Sequence, residues 1–121
     1  MNCSFDEIRG KTLIDIRGAT VGSEGVEFLT SDGSTYRLYH SQDCCESVAL
    51  NEIIGDVHDL IGTPLLEAEE SANQDDRPNG AESWTWTFYK LGTIKGHVTF
   101  RWLGESNGYY SEGVDFCRLS P

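Results

Sequence analysis

Alternation of apolar and polar residues in the last third of the chain is the feature that most constrains the fold. Ser83–Leu91 and His97–Leu103 both alternate with a period of two residues. Because successive side chains of a β-strand point to opposite faces, this pattern predicts two strands with one buried face. The sequence GESNG at 104–108 then leads into Tyr109–Cys117. Its Asn-Gly pair predicts a third strand that returns through a hairpin turn.

The first half of the chain carries further strand signals. Lys11–Arg17 is β-prone, and Val26–Thr30 and Thr35–His40 flank an Asp-Gly pair that is typical of a hairpin turn. Ser47–Leu50 and Pro64–Ser71 are further candidates for extended segments.

One helix is predicted over Glu52–Ile61, where Asn51 can cap the start and Gly62 can end it. Apolar residues fall on one face of this segment at helical spacing, namely Ile53, Ile54, Val57, Leu60 and Ile61. The fold class predicted is therefore α+β and mainly β, with a curled antiparallel sheet of about six to seven strands and one short helix. Residues 1–121 are expected to form a single domain with a polar, mobile loop at 73–82.

The charge distribution argues against one class of function. The net charge is −11, and residues 46–82 hold ten acidic residues against one base, Arg77. Nucleic-acid-binding proteins place a basic stripe against the phosphates, and this sequence has none, so direct binding of nucleic acid is not expected. The excess of acid is compatible with solubility alone, with a basic protein partner, or with mimicry of DNA.

The sequence predicts a protein of the cytoplasm. No stretch approaches the roughly 20 apolar residues that span a membrane. Residues 1–10, MNCSFDEIRG, have neither the basic start nor the apolar run of a signal peptide. The four cysteines, Cys3, Cys44, Cys45 and Cys117, are therefore expected to be reduced thiols, and adjacent cysteines rarely bridge each other.

The alternating strands also predict a ligand-binding face. The face expected to form the core carries Trp84, Trp86, Phe88, Val98, Phe100, Trp102, Tyr110, Val114 and Phe116. The opposite face offers phenols and a guanidinium that suit a small phosphorylated ligand, because arginine pairs with phosphate and aromatic rings stack on bases. The ligand-binding residues predicted are Tyr89, Arg101, Asn107, Tyr109 and Asp115. The alternative is a solvated face on which Arg101 pairs with Asp115, and a register slip of one residue would exchange the two faces.

The remaining candidate sites are acidic or sulfur-containing. A surface for a basic host protein is predicted at Glu67, Glu69, Glu70, Asp75 and Asp76. The side chains of His40, Cys44 and Cys45 are of the types that bind zinc, but their spacing is not a recognised zinc pattern, so no metal site is predicted. The same residues would be needed for cysteine–histidine catalysis, and nothing else indicates an activated thiolate. No catalytic residue and no cofactor is predicted.

Three segments together resemble a small domain of unknown function found in tailed-phage genomes. They are HSQDCCESV at 40–48, EIIGDVHDLIGTPLLEAEE at 52–70 and WTWTFYKLGTIKGHVTFRWLGESNGYYSEGVDF at 84–116. SNGYYSE at 106–112 is the most distinctive part. The resemblance carries no established activity and implies only a setting, since small acidic phage proteins often inhibit host enzymes or blunt host immunity.

We therefore expect a non-enzymatic phage accessory protein that acts by stoichiometric binding in the host bacterial cytoplasm, in counter-defence or host modulation. It would inhibit a host protein or sequester a nucleotide-like signal. One alternative is an acidic DNA mimic that inhibits a host nucleic-acid enzyme, and another is a structural or assembly protein of the virion. No membrane partner is expected, and a homodimer is compatible with exposed sheet edges.

Overall fold

Two antiparallel four-stranded sheets form the fold of residues 3–120, which are the residues described in this computed structural model; Met1, Asn2 and Pro121 lie outside them. The strands are β1 (Leu13–Arg17), β2 (Gly25–Thr30), β3 (Thr35–Tyr39), β4 (Ser47–Ile54), β5 (Glu67–Asn73), β6 (Ser83–Thr93), β7 (Gly96–Ser106) and β8 (Asp115–Ser120). The first sheet has the order β1-β2-β3-β8, and the second has the order β4-β7-β6-β5. The mainly-β prediction is confirmed, whereas the single curled sheet is wrong.

The two predicted hairpin turns have different outcomes. The Asp-Gly turn joins β2 to β3, and Gly33 has a φ of +91°, a left-handed conformation that suits glycine. The Asn-Gly pair after β7 does not form a hairpin, because β7 already lies between β4 and β6 and has no free edge. The chain instead crosses to the first sheet, where β8 pairs with β3 and Phe116 lies opposite Leu38.

The predicted helix at Glu52–Ile61 is absent. β4 continues to Ile54, Gly55 turns the chain with a φ of +111°, and Val57–Leu60 makes a 3₁₀ turn capped by the Asp56 side chain. A left-handed residue interrupts helical hydrogen bonding, and the β-branched isoleucines before it suit a strand. A second 3₁₀ turn covers Phe5–Ile8. Neither turn is long or apolar enough to cross a membrane, and no other helix occurs in residues 3–120.

The central strand β7 contributes the middle of the core, as predicted. Val98, Phe100 and Trp102 are fully buried. Phe100 packs edge-to-face on Phe28 of β2, with ring centroids 5.8 Å apart, so the core lies between the two sheets. Burying a large apolar side chain is worth roughly 2–3 kcal/mol relative to exposure, which fixes the inward face of β7.

The faces of β6 are the reverse of those predicted. Tyr89 lies opposite Phe100 and is buried, whereas Phe88 lies opposite Arg101 on the outer face of the sheet. Both faces of β6 carry aromatic residues, so alternation alone does not choose between them. The register is set by the two-residue turn that joins β6 to β7. The aromatic residues on the outer face of β6 are Trp84, Trp86 and Phe88.

The polar loop at 74–82 folds back over this outer face. The indole N–H groups of Trp84 and Trp86 donate to the carbonyl oxygen of Asp75 over 2.9 and 2.8 Å. The Arg101 guanidinium stacks on Trp86, 3.8 Å from the ring centroid, and lies 3.2 Å from a carboxylate oxygen of Glu52. The loop and the arginine together cover Trp86, which is only 7% exposed although it lies on the outer face.

Candidate functional site

Two loops meet where the chain crosses between the sheets. Residues 40–46 connect β3 to β4, and residues 107–114 connect β7 to β8. The His40 ring joins the two loops, because its Nδ1 lies 2.7 Å from the carbonyl oxygen of Gly113. The segments HSQDCCE and SNGYYSE therefore lie together, and we call these two loops the loop pair.

The first loop is folded around the carboxylate of Glu46. This side chain is buried and accepts hydrogen bonds from the backbone N–H groups of Asp43 (2.8 Å) and Cys44 (2.9 Å) and from Nε2 of His40 (2.7 Å). The His40 ring thus lies between the Glu46 carboxylate of its own loop and the Gly113 carbonyl oxygen of the second loop. The hydrogen bond from His40, followed by the backbone donors, lowers the pKa of Glu46 to about 2. The loop is thus organised by an ionised carboxylate.

The second loop is held by another buried carboxylate, Glu112. It accepts hydrogen bonds from the hydroxyls of Thr85 (2.8 Å) and Ser106 (2.5 Å). Burial raises the pKa of Glu112, but hydrogen bonds from Ser106, Ser83 and Thr85 outweigh that effect and hold the pKa below its usual value. The loop backbone also approaches Gly104 closely: a Cβ there would overlap the carbonyl oxygen of Glu112. Glycine is therefore required at position 104 for the loop to pack.

The cysteines depart from the expectation of four reduced thiols. Sγ of Cys44 is bonded to Sγ of Cys45, so the two adjacent residues form a disulfide, while Cys3 and Cys117 are free thiols. Cys44 and Cys45 are both exposed. Burial, aided by a hydrogen bond with Glu7, raises the pKa of the Cys3 thiol to about 11.

A cleft of about 320 Å³ lies between the loop pair and the loop at 74–82. Its polar side chains come from Cys45, Ser47, Glu82, Glu105, Ser106, Asn107 and Tyr110. None of the described residues that line it is basic. We call it the acidic cleft, because two acidic residues, Glu82 and Glu105, line it and no described basic residue does. Such a lining offers hydrogen-bond acceptors and negative charge, which suit an ammonium or guanidinium group.

The five predicted ligand-binding residues do not form one face, because the register of β6 differs from the one assumed. Tyr89 is buried in the core, where its hydroxyl donates to Glu70 over 2.6 Å; burial and this bond raise its pKa strongly. Arg101 lies on the opposite face of the sheet and pairs with Glu52, not with Asp115. Asp115 begins β8 in the other sheet and accepts a hydrogen bond from the backbone of Ser41.

Only Asn107 and Tyr109 of that predicted set lie together. Both belong to the second loop, and Asn107 lines the acidic cleft. Tyr109 is 83% exposed and packs edge-to-face on Tyr110, with ring centroids 5.0 Å apart. The part of the predicted site that comes together is therefore the SNGYY segment.

The predicted partner-binding acids lie along the edge strand β5 and the loop after it. Glu67 pairs with His97 (2.9 Å) and Lys90 (3.6 Å), and Glu70 accepts from Tyr89. The side chains of Glu69, Asp75 and Asp76 are exposed. Their role in binding a partner stays a prediction.

The three residues of zinc-binding types, His40, Cys44 and Cys45, already have bonding partners within the protein. His40 uses both ring nitrogens within the loop pair, and Cys44 and Cys45 bond to each other. Within residues 3–120, no group of three or more histidine, cysteine or acidic side chains is arranged to hold a metal ion.

Sequence reasoning missed the structural roles of Glu46 and Glu112. For Glu46 a signal existed, since it shares the period of two with Val48 and Leu50, which are both buried. For Glu112 no local signal is visible, because its donors lie on β6 and β7.

A family model described as a domain of unknown function, DUF7448, matches residues 6–116. Neither a curated protein nor a solved structure matches the chain.

Proposed function

The chain belongs to this family of domains of unknown function, and we propose that it is a non-enzymatic phage accessory protein that binds a host protein stoichiometrically. Its role would be counter-defence or host modulation in the host cytoplasm. The observation that carries the proposal is the acidic cleft, which combines two carboxylates with hydroxyl and amide groups in a chain of net charge −11.

A basic side chain of the partner fits this cleft. Glu82 and Glu105 supply the complementary charge, and the hydroxyl of Tyr110 supplies a further hydrogen-bonding group. Beside the cleft, Tyr109 presents an exposed aromatic ring, the kind of group that anchors protein interfaces. A lysine or arginine in the cleft with an apolar contact on Tyr109 would use both features together.

Sequestration of a phosphorylated signal has less support. The Arg101 guanidinium, on which that idea depended, is already stacked on Trp86 and paired with Glu52. The carboxylates of the acidic cleft would repel a phosphate. Of the two forms of stoichiometric binding, we therefore propose that of a host protein.

The test is a comparison of variants in binding, starting from the tagged wild-type protein incubated with lysate of a host bacterium. Native mass spectrometry of the purified complex gives its stoichiometry and the identity of any bound molecule. The identified partner is then titrated against Glu82→Gln/Glu105→Gln, which removes two charges from the cleft. We expect a one-to-one complex and at least about tenfold weaker binding by this variant.

The matched control is Glu24→Gln/Glu27→Gln, which removes the same amount of charge from the other sheet. Glu24 immediately precedes β2, and Glu27 lies within it. It should bind as the wild type does. Equal binding by all three proteins would refute the cleft as the binding surface. A small-molecule adduct lost in Arg101→Ala, with no protein partner, would instead establish the ligand-sequestering alternative.

A further inference from the structure

We propose that Cys44 and Cys45 form a reversible thiol–disulfide exchange site at the rim of the acidic cleft. The two sulfurs are bonded to each other, both residues are exposed, and Cys45 lines the cleft. This redox role is separate from the proposed binding function and does not depend on it.

The loop holds the pair in place. The buried carboxylate of Glu46 accepts the backbone N–H of Cys44 and that of the residue before it, and His40 ties the same carboxylate to the second loop. The backbone on the N-terminal side of the pair is thereby fixed while both residues remain exposed. A positioned, accessible pair is what rapid exchange with a small thiol requires.

The position of the pair in the sequence favours exchange over a permanent structural role. The Cα atoms of Cys44 and Cys45 are 3.8 Å apart, because the residues are neighbours. A bond between neighbours closes no long loop, so it adds little to stability by restricting the unfolded chain.

The other two cysteines are poor competitors for this chemistry. Cys117 is 4% exposed, and the Cys3 thiol has a pKa raised to about 11. At neutral pH a pKa higher by two units lowers the thiolate fraction about 100-fold, and greater nucleophilicity of the thiolate offsets only part of this. The exposed pair is therefore the reactive one.

The exchange partner is a low-molecular-weight thiol, written RSH. Its thiolate attacks one sulfur of the pair, the S–S bond breaks, and the other sulfur leaves as a thiolate that takes up a proton. A second RS⁻ then attacks the RS sulfur of the mixed disulfide, which releases the second cysteine and RSSR. Two molecules of RSH are oxidised to RSSR, and the protein disulfide gains two electrons and two protons.

The experiment equilibrates the full chain in buffers of reduced and oxidised glutathione. The samples are quenched with acid and alkylated, and the peptide that carries Cys44 and Cys45 is analysed by mass spectrometry. If the disulfide is internal, the ratio of oxidised to reduced protein should be proportional to the concentration of oxidised glutathione divided by the square of the concentration of reduced glutathione. An internal disulfide also predicts full recovery of both thiols in excess dithiothreitol. On the reduced protein, alkylation of Cys3 should be roughly tenfold slower than that of the pair.

Cys44→Ser and Cys45→Ser are the matched variants, and circular dichroism verifies their fold. Each should form only a mixed disulfide with glutathione, in proportion to the simple ratio of oxidised to reduced glutathione. The proposal is overturned if the wild-type protein shows that same simple dependence, if the pair never oxidises, or if the bond resists dithiothreitol while the protein is folded.

Discussion

Glu46 and Glu112 each hold one loop of the loop pair, because each has a buried carboxylate that accepts hydrogen bonds from part-buried groups around it. A buried polar group that loses its hydrogen-bond partners costs more free energy than the hydrogen bond itself contributes. At the scale of single residues, these carboxylates therefore matter more to the site than the exposed acids on β5.

Replacing Glu46 by glutamine should reveal its charge through the pH dependence of stability. The pKa of Glu46 is lowered from 4.5 to about 2, so its contribution to the free energy of unfolding is complete above pH 4.5 and is lost as the pH falls towards 2. We expect Glu46→Gln to be less stable than the wild type at neutral pH, with a difference that shrinks over this interval. Urea unfolding at a series of pH values measures it, with Glu69→Gln as an exposed control. A difference independent of pH would show that the charge of Glu46 is not what stabilises the loop.

Gly104 makes the close approach of the second loop possible. A Cβ at this position would overlap the carbonyl oxygen of Glu112 and lie 2.8 Å from its Cβ. We expect Gly104→Ala to lower the free energy of unfolding by about 1–3 kcal/mol, as overpacking does. Gly113→Ala is the control in the same loop, because its Cβ would meet only the Ser111 hydroxyl at 3.7 Å. Similar losses in both variants, measured by urea unfolding, would contradict this account.

At the scale of elements, β6 and the loop at 74–82 depend on each other. The Trp86 indole donates to the carbonyl oxygens of Asp75 (2.8 Å) and Asp76 (3.1 Å). Trp86→Phe keeps an aromatic ring under Arg101 but removes both hydrogen bonds, so we expect a loss of about 1–2 kcal/mol in stability. Hydrogen–deuterium exchange of the 74–82 amides should become faster. Phe88→Leu, on the same outer face, is the control that should leave exchange in the loop unchanged, and equal exchange in all three proteins would refute the anchoring.

The elements that could be predicted from sequence are those set by local chemistry. The β2–β3 turn and the strands β6 and β7 follow from an Asp-Gly pair and from alternation within a few residues. The helix predicted at 52–61 is wrong, because the apolar pattern that indicated it also fits a strand followed by a turn at Gly55. The hairpin predicted after Asn107 is wrong for a non-local reason, since β7 already pairs with β4 on one edge and with β6 on the other.

The candidate site was predicted only in part for the same reason. Asn107 and Tyr109 are neighbours in sequence and remain together, whereas Tyr89 and Arg101 were grouped by an assumed register between two strands. A shift of one residue exchanges every side chain between the faces of a strand. The acidic cleft itself combines three segments that are distant in sequence, which no local pattern joins.

At the scale of the whole molecule, the charge of −11 sets how the fold responds to salt. Ion pairs between opposite charges are few, and one of them, between Lys11 and Asp32 at 2.6 Å, lies at the surface. Like charges repel in the compact state, and salt screens them, since the Debye length falls from about 30 Å at 0.01 M to about 8 Å at 0.15 M. We therefore expect the midpoint of thermal unfolding at neutral pH to rise by a few degrees over this range of sodium chloride. Each kcal/mol gained in the free energy of unfolding raises the midpoint by about 3–6 °C.

The charge-reduced variant Glu69→Lys/Asp75→Lys separates screening from other effects of salt. Both positions are exposed, so the fold should be kept while the self-repulsion falls. Its unfolding midpoint should lie above that of the wild type at low salt and should respond less to added salt. A midpoint that falls with salt in both proteins would mean that surface ion pairs outweigh the repulsion between like charges.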